Sequence, residues 1–464
     1  MNIINLMRIP KPFFKALLLG VVLFSFRLPF VYAEKLYYIA PTELSSVTRE
    51  MKTAGFWASR HPFPDKVILD AEGIEALNAE TQGRKLIKDI TKLAVMYPGD
   101  ELKALLRVTL NDLSKKKFYL ADGSRAGEYF FERAHNNLNL NAIPAEIRPE
   151  FGFIVRFSDQ RFLPVEDVLM VTDGDIDFDE LQNSDLDIGT PVRVFHTSLD
   201  GKWAFVESDI SSGWVKKENI SPCPQPDIEK FLSSFSFIVV TAPKADIFLN
   251  ATLTAHYDHV RMGARFTLLK KWEDDGLFEI LLPLIDEERG TVFTKAYIKK
   301  EDANEWYLKY TPRNVLTQAF KLLNSPYGWG GMHGEQDCSR FLVEVFSTFG
   351  IKLPRDSKDQ AKAGGLIAEF KDETIRKEKL FVLKNETVPA ISLLCLKGHI
   401  MLFLDVVDGK PYAIHAVWGY RQKIDGKDAV RVINRVAISD LLLGEGSVKG
   451  SLITRLRSVV LVSR

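Results

Sequence analysis

The sequence has 464 residues, of which 46% are hydrophobic and 26% charged, a composition typical of globular domains. At about 100–200 residues per domain, a chain of this length holds two to four domains. Lys and Arg together number 61, as do Asp and Glu, and a net charge of zero argues against electrostatically driven binding to nucleic acid. The three cysteines form no CxxC or Cys/His pair at metal-ligand spacing, so no zinc site is predicted.

The N-terminus has the features of a secretory signal. Three basic residues precede the apolar run 16–26, and "VYA" ends at Ala33. This pattern predicts a signal peptide over residues 1–33. The alternative is a retained membrane anchor, but a span needs about 20 apolar residues, and Arg27 interrupts the run. We therefore expect an exported protein, periplasmic or associated with the cell wall, with no membrane span after cleavage.

Residues 34–149 are predicted to form a helical N-terminal domain. The stretches 73–95 and 100–118 carry apolar residues at helical spacing. Between them "YPGD" at 97–100 predicts a turn with a helix N-cap. No pattern of catalytic residues occurs here, so a packing or spacer role is expected.

The next part of the chain contains a repeat. "IGTPVRVFHTSLDGKWAFV" (188–206) and "MGARFTLLKKWEDDGLFEI" (262–280) share a glycine, an alternating strand, and an Asp-Gly turn before an aromatic residue. Each unit later closes with Lys-Lys-Glu. These features predict two small β-barrels, over 150–222 and 223–303, and they resemble bacterial SH3-like barrels. Two tryptophans are expected to fill the barrel core rather than form a binding face: Trp203 and Trp214.

One cysteine lies in an unusual setting, in "SPYGWGGMHGEQDCSRFL" (325–342). A linker, 304–312, and an amphipathic helix precede this stretch. Asp337 can cap a helix that begins at Cys338, where the helix dipole and backbone N–H groups favour a nucleophilic thiolate. The glycines before it are expected to let the backbone approach a substrate closely. The remaining two cysteines are predicted to be buried and inert: Cys223 and Cys395.

Two downstream histidines complete a candidate catalytic set. His399 opens "HIMLFLDV" and His415 lies in "PYAIHAV", with "DGK" (408–410) between the two strands. This order predicts a hairpin that places both histidines near one end of a sheet. A cysteine with a histidine base, itself oriented by a third polar group, is the arrangement for acyl transfer. The alternative is a buried cysteine and merely hydrogen-bonded histidines. His333, in the glycine-rich loop, is not expected to be the base.

Four motifs together resemble the NlpC-type family of papain-fold cysteine peptidases. They are "YGWGG…DCSRF", "GIKLPRDS", "GHIML" and "AIHAV", and the order Cys, His, His matches the family. The resemblance covers residues 313–464. Arg340 departs from the pattern, which has a small residue there, and the spacing between His399 and His415 is slightly long.

This resemblance implies an amidase that acts on peptidoglycan or its stem peptides and cuts between γ-D-glutamate and the diamino acid, commonly meso-diaminopimelate. It implies that Cys338 is the nucleophile, that His399 is the base and then the acid, and that His415 orients His399. Tyr327 and the Cys338 backbone N–H are candidates for binding the oxyanion. The chemistry requires no metal and no cofactor. Three further residues match positions that line the substrate groove, with a helix cap and an ion pair as the alternative roles: Asp337, Ser339 and Arg355.

The sequence therefore predicts a multidomain α+β protein: a helical N-terminal region, two SH3-like barrels and a papain-like peptidase domain. A monomer is expected. Two other functions compete with a wall hydrolase. One is a recycling peptidase restricted to free stem peptides that begin with L-alanine, and the other is an inactive wall-binding protein. The export signal favours the wall hydrolase over the first, and the intact Cys-His-His set argues against the second.

Overall fold

The computed structural model describes residues 37–41, 44 and 46–463, so the predicted signal peptide at 1–33 lies outside the described residues. Within these ranges the chain forms ten α-helices and three seven-stranded sheets. The multidomain α+β fold predicted from the sequence is thereby confirmed. No helix within the same ranges is both long and apolar enough to cross a bilayer.

The N-terminal part contributes to two different cores. Trp57 and Leu77 are buried in the core of the C-terminal domain. Leu106 and Phe130 instead pack with Trp203 of the first β-barrel region. The predicted helical domain 34–149 is therefore not one separate unit, because each half buries its apolar face against a different neighbour. Its elements are β1 (Tyr37–Ile39), α1 (Ala54–Arg60), α2 (Ala71–Gly83), β2 (Tyr97–Pro98), α3 (Gly99–Ser114), α4 (Glu128–Asn137) and β3 (Glu146–Ile147).

Two local predictions in this part were wrong. The helix expected over 73–95 ends at Gly83, because Lys85 adopts a φ of 60° and the N–H of Lys88 bonds to the Asp209 carbonyl at 2.7 Å. Helix α3 begins without a side-chain cap, since Pro98 occupies the N-cap position.

The two β domains repeat one topology. In the first the strand order is β10-β4-β7-β8-β9-β5-β6, and in the second it is β17-β11-β14-β15-β16-β12-β13, so each strand has its counterpart. Each predicted Lys-Lys-Glu closure lies at a 3₁₀ helix before the last strand, at Lys217–Asn219 and Lys300–Asp302. Trp203 and Trp214 are 2% and 0% exposed, which confirms the core prediction. The elements are β4 (Glu150–Ile154), β5 (Ser158–Arg161), β6 (Gln182–Leu186), β7 (Pro191–Thr197), β8 (Trp203–Glu207), β9 (Ser212–Lys216), β10 (Ile220–Pro222), α5 (Gln225–Leu232), β11 (Phe237–Val240), β12 (Lys244–Phe248), β13 (His256–Arg261), β14 (Arg265–Trp272), β15 (Leu277–Ile285), β16 (Thr291–Lys299) and β17 (Ala303–Glu305).

The C-terminal domain is built on a sheet with the order β1-β22-β21-β20-β19-β23-β18. Strands β20 and β21 form the predicted hairpin, closed by the pair Val407–Lys410. Helix α7 packs against this sheet through buried apolar side chains such as Phe341 and Leu402. The elements are α6 (Pro312–Lys321), α7 (Cys338–Ser347), α8 (Ser357–Gln360), β18 (Gly365–Glu369), α9 (Arg376–Asn385), β19 (Ser392–Leu396), β20 (His399–Val407), β21 (Lys410–Ile424), β22 (Lys427–Asp440), α10 (Leu452–Arg455) and β23 (Leu456–Leu461).

Candidate active site

Cys338 is the first residue of helix α7, as the sequence predicted. The Asp337 carboxylate caps the helix by accepting the N–H groups of Ser339 and Arg340 at 3.1 and 2.8 Å. The backbone N–H groups of Ser339 and Ile400 face the Cys338 sulfur. Because Ile400 follows His399 in the chain, the thiol lies beside the first residues of β20.

The surroundings of the Cys338 thiol work against the thiolate that the sequence predicts. Burial raises its pKa to about 12, and the negative charge of Asp337 adds to the effect. The facing N–H groups and the Arg355 guanidinium oppose these two causes without outweighing them. The sequence pattern indicated the helix dipole but not the burial, and the carboxylate that caps the helix also repels a thiolate.

The two histidines and a serine form a hydrogen-bonded row. His399 Nε2 lies 2.7 Å from His415 Nδ1, and His415 Nε2 lies 3.0 Å from Ser439 Oγ. His415 and Ser439 are buried, whereas His399 is partly exposed at the start of β20. No hydrogen bond joins the Cys338 thiol to His399 among the described residues. The structure therefore joins the two histidines and Ser439 directly, and it places the Cys338 thiol against the N–H of Ile400, the residue after His399.

Both histidines are neutral near pH 7. Burial lowers the pKa of His399 to about 4, and the positive charge of Arg455 lowers it further. Burial also holds the pKa of His415 well below its ordinary value, with His399 as the second cause. A neutral imidazole can accept a proton from the thiol, which is what a general base at this position requires.

Sequence reasoning missed Ser439. The ladder pairs Leu402 with Ile414 and His415 with Ala437, so His399, His415 and Ser439 follow a diagonal across three strands. Diagonal neighbours on one face of a sheet are close enough for side chains to touch. Only the register of β22 could have revealed this contact, because nothing in "VAISD" marks the serine as functional.

Tyr327 lies near the nucleophile. Burial raises the pKa of its hydroxyl well above the ordinary value, and the proximity of Cys338 and Asp337 adds to this. The hydroxyl therefore stays protonated and can donate a hydrogen bond, as the predicted oxyanion role requires. The Tyr327 backbone N–H bonds to the Asn434 carbonyl at 3.2 Å and ties the loop to strand β22.

The three residues predicted to line the groove bond to one another. Arg355 donates to both oxygens of Asp337 at 3.2 and 2.7 Å and to Ser339 Oγ at 3.1 Å. Burial raises the pKa of Asp337, but the Arg355 charge and its hydrogen bonds outweigh burial and leave the pKa below its ordinary value. The helix-cap and ion-pair roles are thus present in the structure. A groove-lining role for these residues stays a prediction.

The first β domain packs directly on the site. Arg355 Nε donates to Ser184 Oγ of β6 at 2.9 Å. Phe178 lies with its ring 5.2 Å from Trp329 and 4.8 Å from Trp418, and it also faces Tyr327. The first β domain therefore forms one wall beside the nucleophile.

Two glycines of the loop serve this packing, and the close approach of the loop to a substrate stays a prediction. Gly331 has a φ of 88°, and a Cβ there would lie 1.9 Å from Asp185 Oδ2 of β6. A Cβ at Gly330 would lie 2.7 Å from the Gln182 side chain. These positions must be glycine because strand β6 lies against the loop.

Arg340, the departure from the family pattern, belongs to a buried charge cluster at the junction of three domains. It bonds to Glu344 at 3.2 Å and to Asp187 at 2.7 Å. Arg261 of the second β domain joins Asp187 at 2.7 Å and also pairs with Asp185. Burial raises the pKa of Glu344 to about 7, against the opposing charges of the two arginines.

Comparisons with known proteins agree with this geometry. Residues 324–416 match the NlpC/P60 family, and residues 171–216 match the SH3 domain of SH3b1 type. The first match spans Cys338, His399 and His415, and the second lies within the first β domain.

Two curated relatives are each named gamma-D-glutamyl-L-lysine dipeptidyl-peptidase. The one from Bacillus subtilis (strain 168) is 38% identical over 94 residues, which is 19% of this chain and 32% of the relative. The one from Bacillus cereus (strain ATCC 10987 / NRS 248) is 30% identical over 134 residues, which is 28% of this chain and 37% of the relative. The chain thus spans about a third of the length of these relatives.

A solved structure shares the fold over most of the chain. An NlpC/P60 endopeptidase from Photobacterium damselae subsp. piscicida superposes with a TM-score of 0.75 at 20% identity. The match covers 92% of this chain and 99% of that one. The two proteins therefore share the fold over these residues.

Proposed function

Because the C-terminal part of this chain is an NlpC/P60 cysteine peptidase domain preceded by an SH3 domain, we propose that the protein hydrolyses the amide between γ-D-glutamate and the diamino acid of peptidoglycan stem peptides. The observation that carries the proposal is that the Cys338 thiol lies against the N–H of Ile400, next in the chain to His399, whose Nε2 is held by His415 at 2.7 Å. The relatives' names support the choice of bond. The sequence of residues 1–33 supports an exported location.

The reaction begins with a neutral thiol and a neutral imidazole. His399 Nδ1 takes the proton of Cys338 as the sulfur attacks the amide carbonyl, so no free thiolate has to persist in the buried site. The His399 Nε2–H donates to His415 throughout, which stabilises the imidazolium that forms. The high pKa of the thiol therefore suits a concerted transfer to this base.

The negative oxygen of the tetrahedral intermediate needs hydrogen-bond donors. The Cys338 backbone N–H at the start of α7 and the Tyr327 hydroxyl are the groups that can supply them. The His399 imidazolium then protonates the leaving amine of the diamino acid. Water attacks the resulting thioester with His399 again as base, which releases the γ-D-glutamyl product and restores the thiol.

Free stem peptides are a second candidate substrate, and the wall formed by the first β domain favours them. Phe178 packs with Trp329 and Trp418 and faces Tyr327, the residue near the nucleophile, so this aromatic cluster is the group that can close one end of a substrate groove. A groove closed at the end that takes the peptide N-terminus accepts a peptide with a free amine more readily than one joined to glycan. The name dipeptidyl-peptidase of the relatives supports the same substrate.

The test compares three substrates: purified peptidoglycan, a free stem peptide and the same peptide with an acetylated N-terminus. Mass analysis of the new termini identifies the bond. Cleavage of all three at the γ-D-glutamyl bond supports wall hydrolysis, whereas cleavage of the free peptide alone supports the second candidate. Phe178→Ala should raise activity on the acetylated peptide relative to the free peptide, and Phe162→Ala, on the same β domain, serves as the matched control. No cleavage of any of them would overturn the proposed function.

A further inference from the structure

Ser439 lies at the end of the histidine row, and no motif of the family resemblance includes it. Its Oγ is 3.0 Å from His415 Nε2, and both residues are buried, with exposures of 1% and 0%. Water is excluded at this depth, so the serine is the group that can satisfy the Nε2 atom of His415.

The direction of each hydrogen bond in the row follows from the proposed chemistry. His399 can accept the thiol proton only at Nδ1, so its own proton must lie on Nε2 and point at His415 Nδ1. A neutral His415 that accepts at Nδ1 must carry its proton on Nε2. That proton then points at Ser439 Oγ, which accepts it.

Resting on the proposed function, we propose that Ser439 is a positioning residue: its hydroxyl accepts the Nε2–H of His415 and so stabilises this tautomer, and through it the tautomer of His399 that accepts a proton from Cys338. The opposite tautomer of His415 would present an N–H to His399 Nε2 and force the His399 proton onto Nδ1. His399 would then face the thiol with a donor and could not act as base.

The strand that carries Ser439 is held in place by contacts outside the site. The side chain of Ser46 bonds to Asp440, the residue after Ser439, and the Tyr412 hydroxyl bonds to the Ser46 carbonyl at 2.9 Å. Tyr412 in turn pairs with Asp440 across β21 and β22. These contacts fix the register that brings Ser439 to His415.

The direct test is a nitrogen-15 NMR spectrum of the histidine-labelled protein near neutral pH, with assignments from His399→Ala and His415→Asn. We expect both histidines as Nε2–H tautomers, with the His415 proton protected from solvent exchange. His415 observed as the Nδ1–H tautomer would overturn the proposal. This measurement needs no substrate, so it stands apart from the proposed function, which fails only if stem peptides are not cleaved.

Kinetics provide a second, independent test. Ser439→Ala should lower kcat about tenfold with little change in KM, since it leaves one buried N–H without an acceptor. Ser439→Thr, which keeps the oxygen, should restore most of the activity. Ser392→Ala, which removes another fully buried serine of the same sheet, should leave kcat unchanged and controls for a general loss of stability.

A double-mutant cycle separates positioning from a merely structural role. An asparagine at position 415 is too short to reach Ser439, so Ser439→Ala should have little effect on kcat in a His415→Asn background. An equal loss in both backgrounds would overturn the positioning role. If Ser439→Ala does not fold, Ser439→Thr and the NMR spectrum of the unmodified protein still test the proposal, because inactive Ser439→Thr that folds, or His415 as the Nδ1–H tautomer, would overturn it.

Discussion

His399 Nε2 lies 2.7 Å from His415 Nδ1, so one histidine holds the other through a single hydrogen bond. Their roles should therefore be separable. His399→Ala should remove nearly all activity, because a general base contributes about 10²–10⁴-fold to kcat. His415→Asn should keep measurable activity, since the amide oxygen can accept the same hydrogen bond, and His415→Ala should keep less. Steady-state kcat values for the three variants test this, and equal, complete loss in His399→Ala and His415→Asn would contradict it.

The state of the thiol gives a pH-dependent prediction. Burial raises the pKa of Cys338 to about 12, so the thiol remains protonated across the neutral range. Alkylation of Cys338 by iodoacetamide, followed by peptide mapping, should accelerate with pH and show no plateau up to about pH 10. Free cysteine, with a pKa of about 8.5, is the reference and should level off earlier. A plateau for Cys338 near pH 6 would show a stabilised thiolate instead.

The contact between the loop and the first β domain predicts the effect of one methyl group. Gly331→Ala should destabilise the protein by about 1–3 kcal/mol through overpacking against Asp185, and it should lower activity because the loop leads directly to Cys338. Gly55→Ala, in helix α1 at a position with nothing within 4 Å, should leave activity unchanged and should not destabilise the protein. Thermal unfolding and kcat/KM measure the two effects. Unchanged stability and activity in Gly331→Ala would show that the packing of the loop against Asp185 matters for neither.

The chemistry of the site was predicted from the sequence better than its environment. The helix that begins at Cys338, its Asp337 cap and the hairpin with both histidines follow from local spacing and capping, which a sequence displays directly. The contact of Ser439 with His415 depends on strand register across a sheet. The raised pKa of the Cys338 thiol depends on burial by distant parts of the chain, which cannot be seen in a local motif.

The roles of the loop glycines and of Arg340 also could not be predicted from the sequence, because the residues they contact belong to other domains. Their residue types fit contacts with Asp185 and Asp187 of the first β domain rather than contacts within the peptidase motif. Motif comparison alone marked Arg340 as a departure. The structure shows that it pairs with Glu344 one helical turn further on, and that Arg261 of the second β domain completes the cluster.

The buried cluster predicts how stability varies with pH. Glu344 has a pKa of about 7 in the folded protein, above its ordinary 4.5, so the folded state holds this proton more tightly than the unfolded state. The tighter binding of this proton by the folded state stabilises the protein fully below pH 4.5, and this stabilisation is lost as the pH rises through 7. The loss is on the order of 3 kcal/mol. Burial is the main cause of the raised pKa, and the charges that face Glu344 are those of Arg261, Arg340, Asp185 and Asp187.

Glu344→Gln should remove this part of the pH dependence. The Gln336 amide now donates to Glu344 at 2.9 Å, and its own oxygen has no hydrogen-bond partner, so a rotated amide can satisfy the new side chain. We expect the unfolding free energy of the variant to fall less than that of the unmodified protein between pH 4.5 and 7. Denaturant unfolding at several pH values measures it, and parallel curves for the two proteins would refute the assignment.

The central claim is that Cys338 cleaves one particular amide. The most direct measurement is mass analysis of a defined stem peptide, L-Ala-γ-D-Glu-diaminopimelate, incubated with the unmodified protein and with Cys338→Ala. Cys395→Ala, which removes another buried cysteine, is the matched control, and thermal unfolding confirms that each variant is folded. The account predicts release of L-Ala-γ-D-Glu and the free diamino acid by the unmodified protein and by Cys395→Ala, with none from Cys338→Ala. Turnover by Cys338→Ala above a few per cent, or cleavage at a different bond, would contradict it.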